Sequence, residues 1–304
     1  MDNLEVRVTN IVNIKTKLVN NAPKRIFSFG CSYTHYAWGT WANIIGSEFP
    51  DAEFRNLGRS GVGNTYIHNI IMQTDNVYKF NQDDLILVEW TNVCREDRYL
   101  PEKHGGWVSP GNIFTQSTYD KSFVRNYVSE IGSYVRDFAL IKSAEDFIKQ
   151  RSPYHMTKMV DFSYTNQWTN DKFNNETFTL MQEMYKPVLD NILPSMNHVL
   201  WEHDIVLKQD RDRKLVHENY SDGHPSPEEY YNYVTEMFDH DWSNRTSKLV
   251  KMAQRNWIKI LHDECVKQRK FVFWDQKLMP MRDELRKHAM IYDSLDVDDS
   301  IKRW

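Results

Sequence analysis

Apolar and polar positions switch between two periods along residues 24–90. Arg25 to Gly30 (RIFSFG) is a short apolar run closing on a glycine, which predicts a buried strand. Trp38, Trp41, Ile45 and Phe49 then recur at helical spacing, predicting a helix over 36–49. Residues 53–57 predict a second strand, and 63–80 a second helix burying Tyr66, Ile70, Ile71 and Val77. Leu85 to Trp90 (LILVEW) is the clearest strand in the chain. Strands alternating with helices predict a parallel sheet covered on both faces.

Beyond Trp90 the pattern loosens. Residues 97–120 carry Pro101, Gly105, Gly106, Pro110 and Gly111 and predict a long loop. Helical patterning returns over 124–150 and 181–193, with a strand expected between them at 157–164. Asp210 to Lys214 (DRDRK) is a solvated charge run, and Pro227 to Phe238 opens another helix. Leu249, Ala253, Trp257, Leu261 and Cys265 recur every four residues, one apolar stripe on a basic helix. Phe271 to Trp274 predicts a last strand, before a charged helix and an acidic tail. The division expected is a main domain over 1–240, with 1–23 as an N-terminal extension, and a mostly helical C-terminal extension over 241–304.

Composition narrows the classes. With 304 residues and 40% hydrophobic positions the chain can bury a sizeable core. A net charge of -4 gives no global attraction to nucleic acid or anionic membrane. The segment 245–270 holds eight Lys or Arg against two acidic residues, which reads as a solvated face over the apolar stripe before it reads as a nucleic-acid- or partner-docking helix. Cys31, Cys94 and Cys265 are widely spaced and odd in number, so neither a disulfide framework nor a zinc site is expected. No secretory signal and no apolar run near the roughly 20 residues of a membrane helix appears. A cytoplasmic location and no membrane partner are therefore expected, and the sequons at Asn175, Asn219 and Asn244 are incidental.

Four short stretches carry candidate chemistry. Phe27-Ser28-Phe29-Gly30-Cys31-Ser32 puts a serine two residues past a glycine, at the C-terminal end of a strand, where open α/β sheets place their sites. Its plainer reading is a strand-to-loop turn with Ser32 as a helix cap. Asn56-Leu57-Gly58-Arg59-Ser60-Gly61-Val62-Gly63 again follows a strand and opens a helix, without the dinucleotide-binding glycine spacing. Trp90-Thr91-Asn92 places an amide just past a strand end, where it can face an oxyanion or simply make a turn. Ser221-Asp222-Gly223-His224-Pro225-Ser226-Pro227 sets a histidine before a helix, with Asp222 close enough in sequence to orient it.

The order of these stretches resembles the SGNH (GDSL-like) hydrolase family, named for a Ser, Gly, Asn and His in four blocks. The resemblance spans about residues 25–238 and implies a flavodoxin-like three-layer α/β/α sandwich with a parallel sheet. Matched by position, Ser32 is the nucleophile and His224 its base. The Ser32 N–H, Gly61 and Asn92 are the oxyanion donors, and no cofactor is required. The implied activity is a serine esterase acting on a small-molecule or glycan ester, O-acetylated carbohydrate included. Three positions depart from the family pattern. Gly-Cys-Ser stands where Gly-Asp-Ser is usual. Ser221 occupies the usual acid position, leaving Asp222 two residues before the histidine. Trp-Thr-Asn replaces the longer third block, so Thr91 shares the candidacy of Asn92.

Rival readings follow from the same residues. Cys31 is an alternative nucleophile, though a side chain pointing opposite to Ser32 reads as a small buried hydrophobe. His203, His217 and His224 as a metal set lack helical ligand spacing. The shifted acid favours a catalytically decayed member of the family that binds or builds instead. Tyr99, Trp107 and Phe114 in the long loop either wall a substrate site or pack the loop itself.

Overall fold

The computed structural model describes residues 15–100, 106–109, 111–115, 118–164, 174–202, 220–221, 224–268, 272–273, 279–296 and 301. Its centre is a parallel sheet built from β2 (Arg25–Phe29), β3 (Glu53–Asn56), β4 (Asp84–Trp90) and β7 (Tyr154–Lys158), in the order β3-β2-β4-β7. Short strands β1 (Thr16–Lys17) and β9 (Phe238–Asp239) pair separately, as do β5 (Arg98–Leu100) with β6 (Gly106–Val108) and β8 (Tyr220–Ser221) with β10 (Val272–Phe273). Every residue of β4 is buried, as expected of a central parallel strand with helices on both faces.

One helical layer contains α1 (Trp41–Glu48), α7 (Pro227–Met237) and α8 (Asn244–Gln268), which pack on one another. The other contains α2 (Asn64–Tyr78), α4 (Glu130–Ile148) and α5 (Asn174–Leu189). Helices α3 (Lys121–Tyr127), α6 (Met196–Glu202) and α9 (Met279–Ala289) complete the elements, α9 lying against α8. The result is a mixed α/β fold with a parallel sheet between helices. Its strand order is that of the first four strands of a flavodoxin-like sheet. β2 has β3 on one side and β4 on the other, so its neighbouring connections leave in opposite directions. In such sheets the crevice outside the carboxyl ends of the strands at this switch point is the binding place.

Several elements differ from the sequence pattern. The first helix starts at Trp41, not 36, because Thr40 is its cap: the Thr40 N–H donates to Asn43 Oδ1 at 3.1 Å and its hydroxyl to the Thr34 carbonyl at 2.6 Å. Val77 is 41% exposed, and Ile67 takes the buried position on α2 instead. The 97–120 segment contains the β5–β6 hairpin, held by Trp107 edge-on to both Tyr66 and Tyr99. The helix expected over 124–150 is two helices, divided where Ser129 caps α4 by accepting the Gly132 N–H. The strand expected at 157–164 lies earlier, at Tyr154–Lys158, where Met156 pairs with Val88 of β4. On α8 the buried stripe runs through Val250, Ala253, Trp257 and Leu261, with Leu249 only half-buried. The charge run 210–214 and the side chain of Cys265 lie outside the described residues. Among the described residues no helix is long and apolar enough to cross a membrane.

Candidate active site

β2 ends at Phe29, and the chain turns at once. The Thr34 and His35 N–H groups both return to the Cys31 carbonyl, at 3.0 and 3.1 Å. Ser32 sits in this turn, 7% exposed. The loop after β3 is tied to the same strand end: the Leu57 N–H donates to the Ser28 carbonyl at 2.8 Å and Arg59 N–H to Gly30 at 3.0 Å. Asn56 braces both loops, its Nδ2 donating to the Thr34 carbonyl and its Oδ1 accepting the Gly58 N–H.

His224 arrives from far along the chain. The Ser226 hydroxyl accepts the Glu229 N–H and the Glu229 carboxylate accepts the Ser226 N–H, a capping box whose N-cap lies two residues after the histidine and starts α7. Trp38 Nε1 donates to the Pro225 carbonyl at 2.8 Å, fastening this turn to the segment after Ser32. The Tyr36 ring stacks on the imidazole, with centroids 3.7 Å apart and planes 18° from parallel, and Tyr33 stands 5.2 Å away. The outcome is a contact of 2.8 Å between His224 Nε2 and Ser32 Oγ, across 192 residues of sequence. Asp222, His203 and His217 lie outside the described residues.

Gly61 is on the loop after β3 and Asn92 on the loop after β4, at the same C-terminal edge of the sheet as Ser32. Gly61 has φ +83°, a left-handed conformation that other residues adopt at a cost. Neither its N–H nor that of Ser32 donates to a backbone carbonyl among the described residues. Asn92 Oδ1 accepts the Cys94 N–H at 2.7 Å, a turn that leaves its amide nitrogen as the available donor. Thr91 is fully buried, its hydroxyl on Met159 Sδ at 3.8 Å and its N–H on Asn64 Oδ1 at 2.9 Å, so it packs inward.

Cys31 faces the other way from solvent. Its thiol lies 3.3 Å from Glu89 Oε1 and 3.8 Å from Met159 Sδ, fully buried. Burial, then the Glu89 charge, push its pKa up to about 11, which keeps it a thiol and a poor nucleophile.

Residues with no assigned role in the sequence reading shape this site. Tyr36 stacks on the histidine but read as the start of a helix face. Asp97 read as the edge of a loop, yet its carboxylate accepts the Gly63 and Tyr66 N–H groups at 2.8 and 2.9 Å, capping α2. Asn64 Nδ2 donates to Asp137 Oδ2 at 2.8 Å, linking that helix start to α4. The one available signal for Glu89 was a charged residue inside an otherwise apolar strand.

Burial raises the pKa of Glu89 to about 7 and of Asp137 to about 6. A carboxyl raised on folding stabilises the fold fully below its unfolded value, and that stability is lost as pH rises through the folded value. For these two groups the window is about pH 4–7. For Glu89, which Cys31, Thr34, Arg95 and Tyr233 face, the loss is on the order of 3 kcal/mol. Urea unfolding at pH 5 and pH 8 checks this. Wild type should be less stable at pH 8, and Glu89→Gln should lose much of that difference. Equal pH dependence in the two proteins would contradict the assignment.

No family model matches the chain, and no curated protein matches it. Among solved structures, the chain is similar to a member of the lipolytic protein G-D-S-L family from Veillonella parvula. The identity is 11% and the TM-score 0.39, and the match covers 70% of this chain and 94% of that one.

Proposed function

We propose that the protein is a serine hydrolase that cleaves a carboxylic ester, with Ser32 as nucleophile and His224 as general base. The observation that carries this reading is the 2.8 Å contact between Ser32 Oγ and His224 Nε2 at the switch-point edge of the sheet. That distance is within reach for direct proton transfer.

In this reading Ser32 and His224 work as nucleophile and base. His224 Nε2 takes the hydroxyl proton as Ser32 Oγ bonds to the ester carbonyl carbon. The carbonyl oxygen becomes an oxyanion, received by the Ser32 and Gly61 N–H groups and the Asn92 amide nitrogen. When the tetrahedral adduct collapses, the alcohol leaves with the proton from His224. Water then adds to the acyl-enzyme by the same route and releases the acid. Asp222 is the proposed orienting acid for His224, on sequence grounds. The substrate class is an ester of a small molecule or glycan, acetyl esters first among those to test.

Labelling by a fluorophosphonate, together with hydrolysis of acetyl and longer p-nitrophenyl esters and acetylated sugars, tests this reading. Active protein should label on one serine and turn over at least one ester. Complete inertness would support a binding protein on the same fold.

Asn92 gives a sharper prediction within the reading. Asn92→Asp keeps an oxygen for the Cys94 N–H but removes the amide donor. Loss of one oxyanion donor costs about 10²–10³ in kcat. The variant should fall by at least that much with KM little changed. Unaltered kcat would leave only the backbone donors in the oxyanion hole.

A further inference from the structure

We propose that Glu89 is a positioning residue for the Ser32 turn, its carboxyl group setting where the Ser32 hydroxyl stands relative to His224. The proposal rests on the reading of Ser32 as nucleophile. It starts from an unusual placement. Glu89 lies on a strand buried on both faces and is itself wholly inaccessible to solvent. A carboxyl there loses its hydration, and packing alone would be served better by an apolar side chain.

Its hydrogen bonds among the described residues all lead to one place. Oε2 accepts the Cys31 N–H at 3.0 Å and the Thr34 hydroxyl at 2.8 Å, and Oε1 meets the Cys31 thiol at 3.3 Å. These groups flank Ser32 on either side. The register explains how a residue of β4 reaches them: Phe29 pairs with Val88, so Glu89 is the next rung, directly beside the point where β2 becomes the turn.

Gly30 is explained by the same cradle. A Cβ there would lie 2.2 Å from Thr34 Oγ1 and 2.5 Å from Glu89 Oε2, closer than atoms can approach. The glycine two residues before the serine makes room for the hydroxyl–carboxyl pair. Thr34 is braced further. Its carbonyl accepts the Thr40 hydroxyl at 2.6 Å and its Oγ1 accepts Trp41 Nε1 at 3.3 Å. Among the described residues Ser32 itself has one close partner, His224. Its lateral position is therefore set by the residues on either side of it, and Glu89 holds both.

The test measures kinact and KI for fluorophosphonate labelling, with amide hydrogen exchange over residues 29–36, in wild type, Glu89→Gln, Glu89→Ala and Thr34→Val. The Gln amide oxygen can accept from both Cys31 and Thr34 while its nitrogen faces the thiol. Its kinact should stay within about tenfold of wild type. Glu89→Ala leaves both donors without an acceptor. It should lower kinact about 10²-fold, the scale of a misplaced reacting group, with KI unchanged and faster exchange over the turn. Thr34→Val keeps shape and loses one of the two bonds, so it should fall between, and it carries the test where the alanine variant fails to fold. A folded Glu89→Ala that labels at the wild-type rate would overturn the proposal. So would a Gln variant as slow as Ala, because charge and not acceptor geometry would then matter. A wild type that does not label would remove the hydrolase reading, and the exchange rates would still decide whether Glu89 holds the turn.

Discussion

Replacing Ser32 by alanine is expected to abolish fluorophosphonate labelling and leave only the residual ester hydrolysis that oxyanion donation and binding supply, with the melting temperature within about 3 °C of wild type. The chemical half follows from the mechanism. His224 Nε2 stands 2.8 Å from the Ser32 hydroxyl, the group it is placed to activate. The structural half follows from what the hydroxyl touches. It meets His224 at 2.8 Å and the Cys31 sulfur only at 3.9 Å, and its removal breaks no cap, strand or core contact. Cys31→Ala is the control, because a buried thiol held protonated by its surroundings should not be the labelled group. A Ser32→Ala protein that still labels while Cys31→Ala does not would reverse the assignment.

The parts of the fold legible in the sequence were those where local pattern and tertiary need agree. β2, β4 and α7 lie within a residue of where the sequence pattern puts them, because a buried parallel strand must be apolar along its length and Ser226-Pro227 announces a helix start. The errors fall where a tertiary contact overrides spacing. Trp38 has the helical spacing of Trp41 and Ile45, but its indole N–H is committed to the Pro225 carbonyl outside any helix. Tyr154 and His155 are poor strand signals, yet they pair with Ile86 and Leu87 because β4 needs a neighbour on that edge. At the site, Ser32 and His224 stood out through glycine and proline neighbours that mark strand ends and helix starts. Tyr36, Asp97 and Glu89 could not be assigned in that way. Each acts through a partner distant in sequence, and their residue types have commoner uses: a core aromatic, a loop acid, a surface carboxylate.

His224→Gln should lower kcat/KM by about 10⁴-fold or more, and adding Ser32→Ala to it should cost almost nothing further. The first expectation comes from the base. Without an imidazole at 2.8 Å, the Ser32 proton has no acceptor as attack begins, and the leaving alcohol has no donor. The second comes from the pair acting as a unit: once either member is lost, only oxyanion donation and binding remain, and those do not depend on the other member. The fold should survive, because α7 is started by the Ser226–Glu229 capping box and the turn is fastened through the Pro225 carbonyl, neither of which uses the imidazole. Glutamine keeps a planar group for Tyr36 to pack against, so a loss of activity cannot be assigned to a collapsed wall. The measurement is a double-mutant cycle on ester hydrolysis. Additive losses would mean that Ser32 and His224 work independently, and the 2.8 Å contact would then be a packing feature without catalytic meaning.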